Sequence, residues 1–412
     1  MMRTFSRVSS AWCHAGRSAP CTRFAVAARV HAAARVLALA TALAAAPSAI
    51  LAQGTLSGLG FGYPVGALST RATATGGAFG EFDAVSPRNP AALGGLSRTL
   101  IAAQTEPEFR TLRIGGVKES TTAQRVPLIL VVFPARNRVA VAFSATTFLD
   151  RSYSTSTVGT VVIDGNTLQT NDRTDVRGSI GDLRAAAGWR LNDRFSVGVA
   201  GHLFTGDNLV ATSREFADTT SFGSVLDSSR VTFFGRAVSV GAEVQLLKGL
   251  AASASYRAGG TLESRVTDTV RTRANVPDRL GVALRYDAVP GAIFAVGIEQ
   301  QRWSSMRGLG SAQVQPHDAT NWHAGAEISG PRLLGSLVQL RAGYAKGTLP
   351  FGANERSVRE SRITGGFGVP LARDFASVDL SVQRAMRSLG GSGGRESAWL
   401  LGVGVQIRPG GP

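Results

Sequence analysis

The chain has 412 residues, with 44 lysine and arginine residues against 28 aspartate and glutamate residues, and 44% of it is apolar. Its two cysteines, Cys13 and Cys21, lie close to the N-terminus, so the rest of the chain has no thiol for a disulfide framework or for cysteine-based metal or nucleophile chemistry. The basic residues are scattered singly rather than clustered with aromatic residues. We therefore expect no nucleic-acid partner.

The N-terminus has the order of features that is typical of an export signal. Residues 1–35 contain six arginines and no acidic residue, and an apolar run that ends in small residues continues to Ala52. This run is shorter than the roughly 20 residues that a membrane-spanning helix needs. We predict a signal peptide over residues 1–52, with a transit peptide as the alternative. Its removal leaves 44 − 6 = 38 basic residues against 28 acidic ones, a charge of +10.

Residues 75–96 have a composition that suits neither a helix, a strand nor an exposed linker. They are rich in glycine, poor in β-branched residues and largely apolar. Gly76 and Gly77 permit tight reversals, and the Asn89–Pro90 step requires an extended residue followed by a stiff turn. We predict a compact hatch, or plug, over residues 53–97, inside the lumen of a barrel formed by the residues that follow. A flexible linker is the alternative.

From residue 98 onward, segments of about ten residues alternate apolar with small or polar side chains, which is typical of strands with two different faces. In one such segment Val238 and Val240 share a face, while Ser239 and Gly241 share the other. No segment reaches 18 consecutive apolar residues, which disfavours a helical membrane protein. Alternation alone would also fit a soluble β-sandwich.

The connections between these segments favour a membrane barrel over a sandwich. Residues 134–137 and 191–194 are short links, whereas 152–177 and 206–229 are long ones, and short and long links continue to alternate to the C-terminus. Outer-membrane barrels have short turns at one rim and long loops at the other. We therefore predict an all-β fold over residues 98–408: a transmembrane antiparallel β-barrel of about 14 strands in the bacterial outer membrane.

Several stretches resemble the FadL/TodX family of outer-membrane transporters of hydrophobic compounds. The N-terminal stretch contains Gly76–Gly77–Ala78, then Asp83, then Asn89–Pro90–Ala91–Ala92–Leu93, in the order of that family's hatch. Four stretches of the predicted barrel follow in the family's order. They are ASASYRAGGTLES (252–264), VPDRLGVALRY (276–286), IEQQRWSSM (298–306) and LRAGYAKGTLP (340–350). The chain departs from such barrels at its end, QIRPGGP, which lacks the terminal aromatic residue and so weakens the expected grip of the barrel-assembly machinery.

The resemblance implies a function as well as a fold. Family members take up long-chain fatty acids or aromatic hydrocarbons, which bind in an apolar pocket between hatch and wall. They leave through a lateral gap near a kinked third strand or along the plug. The third strand here is predicted near 138–150, and its interior has no proline or glycine that would mark a kink. The expected partners are a hydrophobic small-molecule ligand, outer-membrane lipids and the assembly machinery, and the expected state is a monomer without cofactor or metal.

The candidate ligand-binding residues are Phe79, Phe82, Leu93 and Arg257. The three apolar ones could line the pocket or simply pack the hatch against the wall. Arg257 is predicted to project into the lumen, where charged residues either hold the wall to the hatch or clamp a carboxylate. The candidate hatch motif is Gly76, Gly77, Asp83, Asn89 and Pro90. The further charged residues predicted to face the lumen are Arg285, Arg341, Glu243, Glu299 and Glu327.

Signals of an enzyme are few. Beyond residue 52 the histidines are His202, His317 and His323, on different segments, and no Gly-x-Ser-x-Gly or His-x-x-x-His motif lies near them. We therefore predict no catalytic residue and passive uptake of hydrophobic molecules. Two other functions remain open: a barrel of the same architecture that acts in protein secretion or surface attachment, and a general porin.

Overall fold

We analysed a computed structural model of the chain. The structure describes residues 61–114, 117–136, 138–163, 166–217, 223–309, 314–333, 336–353, 356–371, 375–389 and 394–409. The predicted signal peptide and the first residues of the predicted hatch lie outside these ranges.

Antiparallel strands form a closed barrel, because the last strand pairs with the first strand of the wall along most of its length. The strands are β1 (Tyr63–Pro64), β2 (Leu100–Ile114), β3 (Val117–Arg136), β4 (Val139–Asp150), β5 (Tyr153–Ile163), β6 (Asn166–Arg190), β7 (Phe195–Phe216), β8 (Val225–Leu247), β9 (Leu250–Val266), β10 (Thr269–Asn275), β11 (Arg279–Tyr286), β12 (Ala292–Gln301), β13 (Val314–Pro316), β14 (Ala319–Leu333), β15 (Ser336–Ala353), β16 (Arg356–Leu371), β17 (Ala376–Ser388) and β18 (Arg395–Ile407).

The wall contains fourteen strands, as the sequence predicts. Strands β4 and β5 both pair with β6 and are two pieces of the third wall strand. Strands β10 and β11 both pair with β9 and are two pieces of the eighth. The short strands β1 and β13 are additions to the wall, since β1 pairs with the last residues of β4 and β13 with the last residues of β15.

The two faces of the wall differ as the alternation predicts. Val238 is 61% exposed on the outer face, while its neighbour Ser239 is 4% exposed on the inner face. Large apolar side chains such as Phe143 and Leu183 also face outward. A continuous apolar outer face is what a lipid-embedded barrel requires. The fold is therefore a transmembrane β-barrel of the outer-membrane type, which places the protein in the bacterial outer membrane.

Two of the predicted long loops are mostly strand. Strands β5 and β6 extend through the range 152–177, and β7 and β8 extend into both ends of the range 206–229. These ranges are rich in threonine, valine and serine, and β-branched residues favour extended backbone. The hydrogen-bonded ladder therefore continues beyond the membrane as tall hairpins.

The third wall strand is interrupted, although nothing within the predicted strand marks the break. Arg151 and Ser152 separate β4 from β5. The adaptation is on the neighbouring strand, where Gly178 has a φ of 144° and its carbonyl accepts from the Arg151 amide at 3.0 Å. A side chain at Gly178 would lie 2.0 Å from the carbonyl of Asp207. The lack of proline and glycine in 138–150 does not therefore mean that the third wall strand is unbroken, because the glycine that permits the break lies on the neighbouring strand.

The wall also opens beside this break. Pairing between β3 and β4 ends at Leu128 and Thr146, and beyond that point the outer half of β3 pairs with β2 alone among the described strands. The free edge of β4 at Leu149 and Asp150 pairs instead with β1. A strand from the N-terminal part of the chain therefore covers the inner end of this gap.

The N-terminal segment, residues 61–97, carries a short helix α1 (Thr70–Ala74) and a 3-10 helix at Pro90–Gly95. Ser69 caps α1, since its hydroxyl accepts from the Ala72 amide at 3.0 Å. A second 3-10 helix, Trp303–Leu309, folds from the connection after β12. No helix in the described part of the chain is both long and apolar enough to cross a membrane.

Candidate functional site

The N-terminal segment contacts the inner face of the wall along its length. The 3-10 helix Pro90–Gly95 lies against β6, β7 and β8, and α1 lies against β15, β16, β17 and β18. Leu93 packs in an apolar cluster with wall residues such as Leu128 and Val132. The segment and the wall therefore share a core.

The Gly76–Gly77 turn lets the backbone approach the wall very closely. Both residues have positive φ values, 66° and 91°. A side chain at Gly76 would lie 2.8 Å from the backbone of Tyr344, and one at Gly77 would lie 2.8 Å from the His323 ring. His323 Nδ1 lies 2.7 Å from the Gly76 carbonyl oxygen. Glycine is thus required here by both backbone conformation and space.

The Asn89–Pro90 turn sits on a patch of three wall glycines. Gly188, Gly198 and Gly241 are register partners on adjacent strands. A side chain at Gly198 would lie 2.3 Å from the Pro90 backbone, so only a bare backbone fits beneath the turn. Asn89 is extended, with φ −107° and ψ 114°, and its Oδ1 accepts from the Ala91 amide at 2.9 Å. The predicted local hydrogen bond is present.

Asp83 organises the turn between α1 and this patch. Its carboxylate accepts from the Ser86 hydroxyl at 2.9 Å and from the Val85 amide at 3.3 Å. The Ser69 hydroxyl also donates to it. The acidic residue of the motif therefore joins the start of α1 to the following turn.

Buried ion pairs connect the segment to the wall. Arg71 pairs with Glu327 at 2.7 Å, and Arg88 pairs with Glu299 at 2.5 Å. Arg279 of the wall bonds Glu81 of the segment. Glu299 and Glu327 were predicted to face the lumen, and both lie there.

Tyr63, near the start of the described chain, lies among arginines. The guanidinium carbons of Arg110, Arg125 and Arg387 are 5.3, 4.6 and 4.8 Å from the centre of its ring. Arg387 donates to its hydroxyl at 3.0 Å. Burial, together with Glu360, raises the pKa of Tyr63, which keeps the ring neutral. Together these cation–π contacts contribute on the order of 2 kcal/mol.

An outer cavity of about 110 Å³ lies between the segment and the wall. Its apolar side includes Trp303, which is fully buried and stacks on Phe148 with ring centres 5.3 Å apart. Phe351 packs edge-on against Trp303 at 5.5 Å. Gly76 and Gly77 form part of its floor. Trp303 comes from the 3-10 helix of an outer connection, so this helix folds inward to complete the apolar side.

The outer cavity is also lined by polar groups. His202 Nδ1 lies 2.9 Å from Asp182 Oδ2, and His202 Nε2 lies 2.9 Å from Ser239 Oγ. Arg257 lines the same cavity, with its guanidinium carbon 5.6 Å from the centre of the Phe148 ring. The cavity therefore presents an aromatic surface and a set of buried polar groups to a single ligand.

A second cavity, of about 690 Å³, lies on the side of the barrel where both ends of the wall meet. Phe82 and Asp83 line it, together with Arg71 and Glu327. Helix α1 lies between the two cavities, since Arg71 faces this one while Thr73 faces the outer one.

The candidate ligand-binding residues occupy different places. Arg257 lines the outer cavity and Phe82 the second one. Phe79 is buried between α1 and the wall, with Ala72 and Ala295 in its cluster. Leu93 lies in the core under the 3-10 helix. Their binding of a ligand stays a prediction.

Most of the outer cavity was not predicted from the sequence. Phe148 lies near the end of a predicted strand, and Trp303 belongs to a stretch that resembles the family. Asp182, His202 and Ser239 are separated by 20 and 37 residues, and only strand register brings them together. A register prediction for β6, β7 and β8 could have found them, because all three lie on inner faces of successive strands.

Comparison with solved structures identifies the fold. The crystal structure of a Pseudomonas aeruginosa FadL homologue matches with a TM-score of 0.62 at 12% identity, covering 84% of this chain and 99% of that one. The P. putida toluene transporter TodX matches with 0.56 at 12% identity, covering 85% and 99%. The CymD monoaromatic hydrocarbon channel matches with 0.53 at 14% identity, covering 84% and 98%. No protein-family model and no curated protein matches the chain.

These matches confirm the FadL/TodX-like fold that the sequence resemblance predicts. At such low identity they establish the architecture alone. The three matched proteins are described as a FadL homologue, a toluene transporter and a hydrocarbon channel, rather than as enzymes.

Proposed function

We propose that the protein takes up hydrophobic small molecules across the outer membrane by passive passage, with residues 61–97 as its hatch. The observation that carries the proposal is the position of α1 and the Gly76–Gly77 turn between two cavities. An open barrel of this size would pass polar solutes. A packed segment blocks such passage, and the aromatic surface of the cavity on its outer side favours binding of apolar ligands instead.

The size of the outer cavity favours one of the two expected substrate classes. Its volume is about 110 Å³, somewhat less than the roughly 150 Å³ of an apolar cavity known to hold benzene. A single-ring hydrocarbon needs only a small adjustment of Trp303 or Phe148, whereas a long-chain fatty acid needs a large movement of the segment. We therefore propose aromatic hydrocarbons as the first ligand to test. The matched toluene and monoaromatic hydrocarbon channels agree with this choice.

The proposed route uses the gap beside the third strand. The ligand enters the outer cavity, and movement of the segment then opens either a path along the segment or the gap that β1 covers. Binding supplies the free energy for this shift only if the ligand prefers the rearranged state. Passive transport requires no catalytic step by residues of the wall. The expectation that the protein is not an enzyme stays a prediction.

Tryptophan fluorescence tests the proposal directly. Trp303 is 1% exposed and lies in the lumen, while Trp189, Trp322 and Trp399 face outward. We expect 4-bromotoluene to quench the purified protein saturably, because a brominated ligand must contact Trp303. The Trp303→Phe variant should lose the saturable component, and the matched Trp322→Phe variant should keep it. Equal, non-saturable quenching of all three proteins would contradict the proposed ligand site.

Deletion of residues 54–96 separates uptake from the alternatives. A general porin should keep its conductance in planar bilayers after this deletion, whereas a hatched transporter should become an open pore. A barrel that acts in protein secretion or surface attachment should copurify with surface proteins. Growth on alkylbenzenes or fatty acids should then not depend on it.

A further inference from the structure

Three buried polar residues on successive strands have the geometry of a hydrolase site. Asp182 on β6, His202 on β7 and Ser239 on β8 are each less than 10% exposed. With the ring proton on Nδ1, His202 donates to Asp182 at 2.9 Å and its Nε2 accepts from the Ser239 hydroxyl at 2.9 Å. This is the connectivity in which a histidine acts as general base for a serine and a carboxylate orients the ring.

A buried histidine that merely satisfies its polar atoms could make the same two bonds. Two further observations separate the cluster from that case. All three side chains line the outer cavity, so the serine hydroxyl borders space that a ligand can occupy. The aromatic surface of Phe148 and Trp303 lines the same cavity, and an apolar acyl or aryl group could pack there.

One cationic group lies beside the serine and lines the outer cavity with it, and a second lies beside the histidine. Arg257 is the register partner of Ser239 on the adjacent strand, and Arg184 is the register partner of His202. Arg184 is 4% exposed, and its Nε and Nη2 atoms have no hydrogen-bond partner among the described residues. Arg257 Nε is likewise without one. Unused donors beside a serine can stabilise the negative charge that develops on a carbonyl oxygen.

Against the sequence-based prediction that no residue is catalytic, we propose that Asp182, His202 and Ser239 form a serine-esterase site that cleaves carboxylic esters with an apolar acyl or aryl group. Ser239 Oγ attacks the carbonyl carbon while its proton passes to His202 Nε2 and the carbonyl π electrons move to oxygen. The tetrahedral species collapses, the bond to the alcohol oxygen breaks, and the alcohol takes the proton from His202. Water then repeats these steps on the acyl-serine, so that ester and water yield acid and alcohol. Asp182 is the positioning residue.

The test uses the purified full-length protein in detergent, without any transport step. We expect a fluorophosphonate probe with small alkyl groups to label Ser239, as located by mass spectrometry, and phenyl acetate to be hydrolysed. Ser239→Ala should abolish labelling and reduce hydrolysis by roughly 100-fold or more. Asp182→Asn should lower the rate and change its pH profile, because it alters the tautomer of His202. Ser381→Ala is the matched control, since Ser381 is a buried inner-face serine whose hydroxyl has no partner in the described chain.

A Ser239→Cys variant makes a negative result decisive. Its thiol can be tested with a small methanethiosulfonate reagent. The chain's own cysteines, Cys13 and Cys21, lie within the predicted signal peptide, so modification of position 239 is distinguished from theirs by mass spectrometry. If this thiol reacts but the folded wild-type protein is not labelled, the serine is reachable and not activated, and the proposal is wrong. If the thiol does not react, no ester can reach the site, and the proposal is equally wrong. Neither result affects the fluorescence test of ligand uptake.

Discussion

The two ends of the N-terminal segment are fixed to the wall by different physics. At one end the Asn89–Pro90 turn contacts the bare backbone of Gly188, Gly198 and Gly241. At the other, Tyr63 lies among three guanidinium groups. The first contact depends on steric fit and apolar packing, so a small displacement of the turn would lose the contact. The second depends on cation–π contacts between a neutral ring and arginine side chains, on one hydrogen bond from Arg387, and on packing in a small apolar cluster with residues such as Leu349.

This difference indicates which end can move. The glycine patch continues into the core around Leu93 and lies next to the start of the wall at Leu100, so its displacement would expose apolar surface. The Tyr63 end joins the wall through β1, which has only two residues. We infer that rearrangement of the segment starts at the Tyr63 end and pivots on the glycine patch. Three substitutions test this comparison.

The largest effect is expected for Gly198→Leu. A leucine there would occupy the position of the Pro90 backbone, 2.3 Å from the Cβ that it introduces. Overpacking of this kind costs about 3 kcal/mol, enough to displace the turn and raise the conductance of the barrel in planar bilayers. The matched control is Gly201→Leu on the same strand, where nothing lies within 4 Å of the added Cβ. Unchanged conductance in Gly198→Leu would show that the turn is not fixed by this patch.

The next effect is expected for Tyr63→Ala. Loss of the ring removes its contacts with the three arginines and costs roughly 2 kcal/mol locally. Hydrogen exchange should accelerate over residues 61–68 and stay slow over 90–95. Tyr63→Phe is the control, because it keeps the ring and loses only the bond from Arg387. Equal acceleration at both ends would contradict the idea that the two contacts act separately.

The smallest effect is expected for the pair Arg71 and Glu327. Their bond is 2.7 Å long, but the Arg71 side chain is 30% exposed, and solvent weakens the attraction. Arg341 also bonds Glu327 and remains after Arg71 is removed. A double-mutant cycle on thermal stability should therefore give a coupling energy of about 1 kcal/mol. A coupling near zero would mean that this ion pair does not hold α1 in place.

The fold was predictable because it depends on periodicity. Alternation at residues such as Val238 and Ser239 gives the two faces of a strand, and alternating link lengths give an up-and-down wall. The first piece of the third wall strand, β4, also matches the predicted strand 138–150 closely. The break after it was not predicted, because the residue that permits it, Gly178, lies on the next strand. A search within one strand cannot find a feature that two strands share.

The candidate site was less predictable for a related reason. Gly76, Gly77 and Asn89 could be singled out because their roles depend on local backbone. The neighbours of Arg257 could not, since they come from other strands and from the inward-folded Trp303 helix. Phe79 and Leu93 have side chains that suit an apolar pocket and lie in the predicted hatch. Both pack in buried apolar clusters and do not line the outer cavity.

The unequal height of the wall has a consequence for how the protein meets its surroundings. A strand crosses the hydrocarbon layer with roughly 10 residues, while β6 has 25 and β12 has only 10. At about 3.3 Å per residue and a tilt near 45°, the surplus raises β6 about 35 Å above the bilayer. The outer rim of the barrel is therefore high on the side of β6 and low on the opposite side of the strand order, at β12. Antibodies and bulky surface sugars would contact the high side of the rim, while small hydrophobic solutes could reach the barrel opening over the low side.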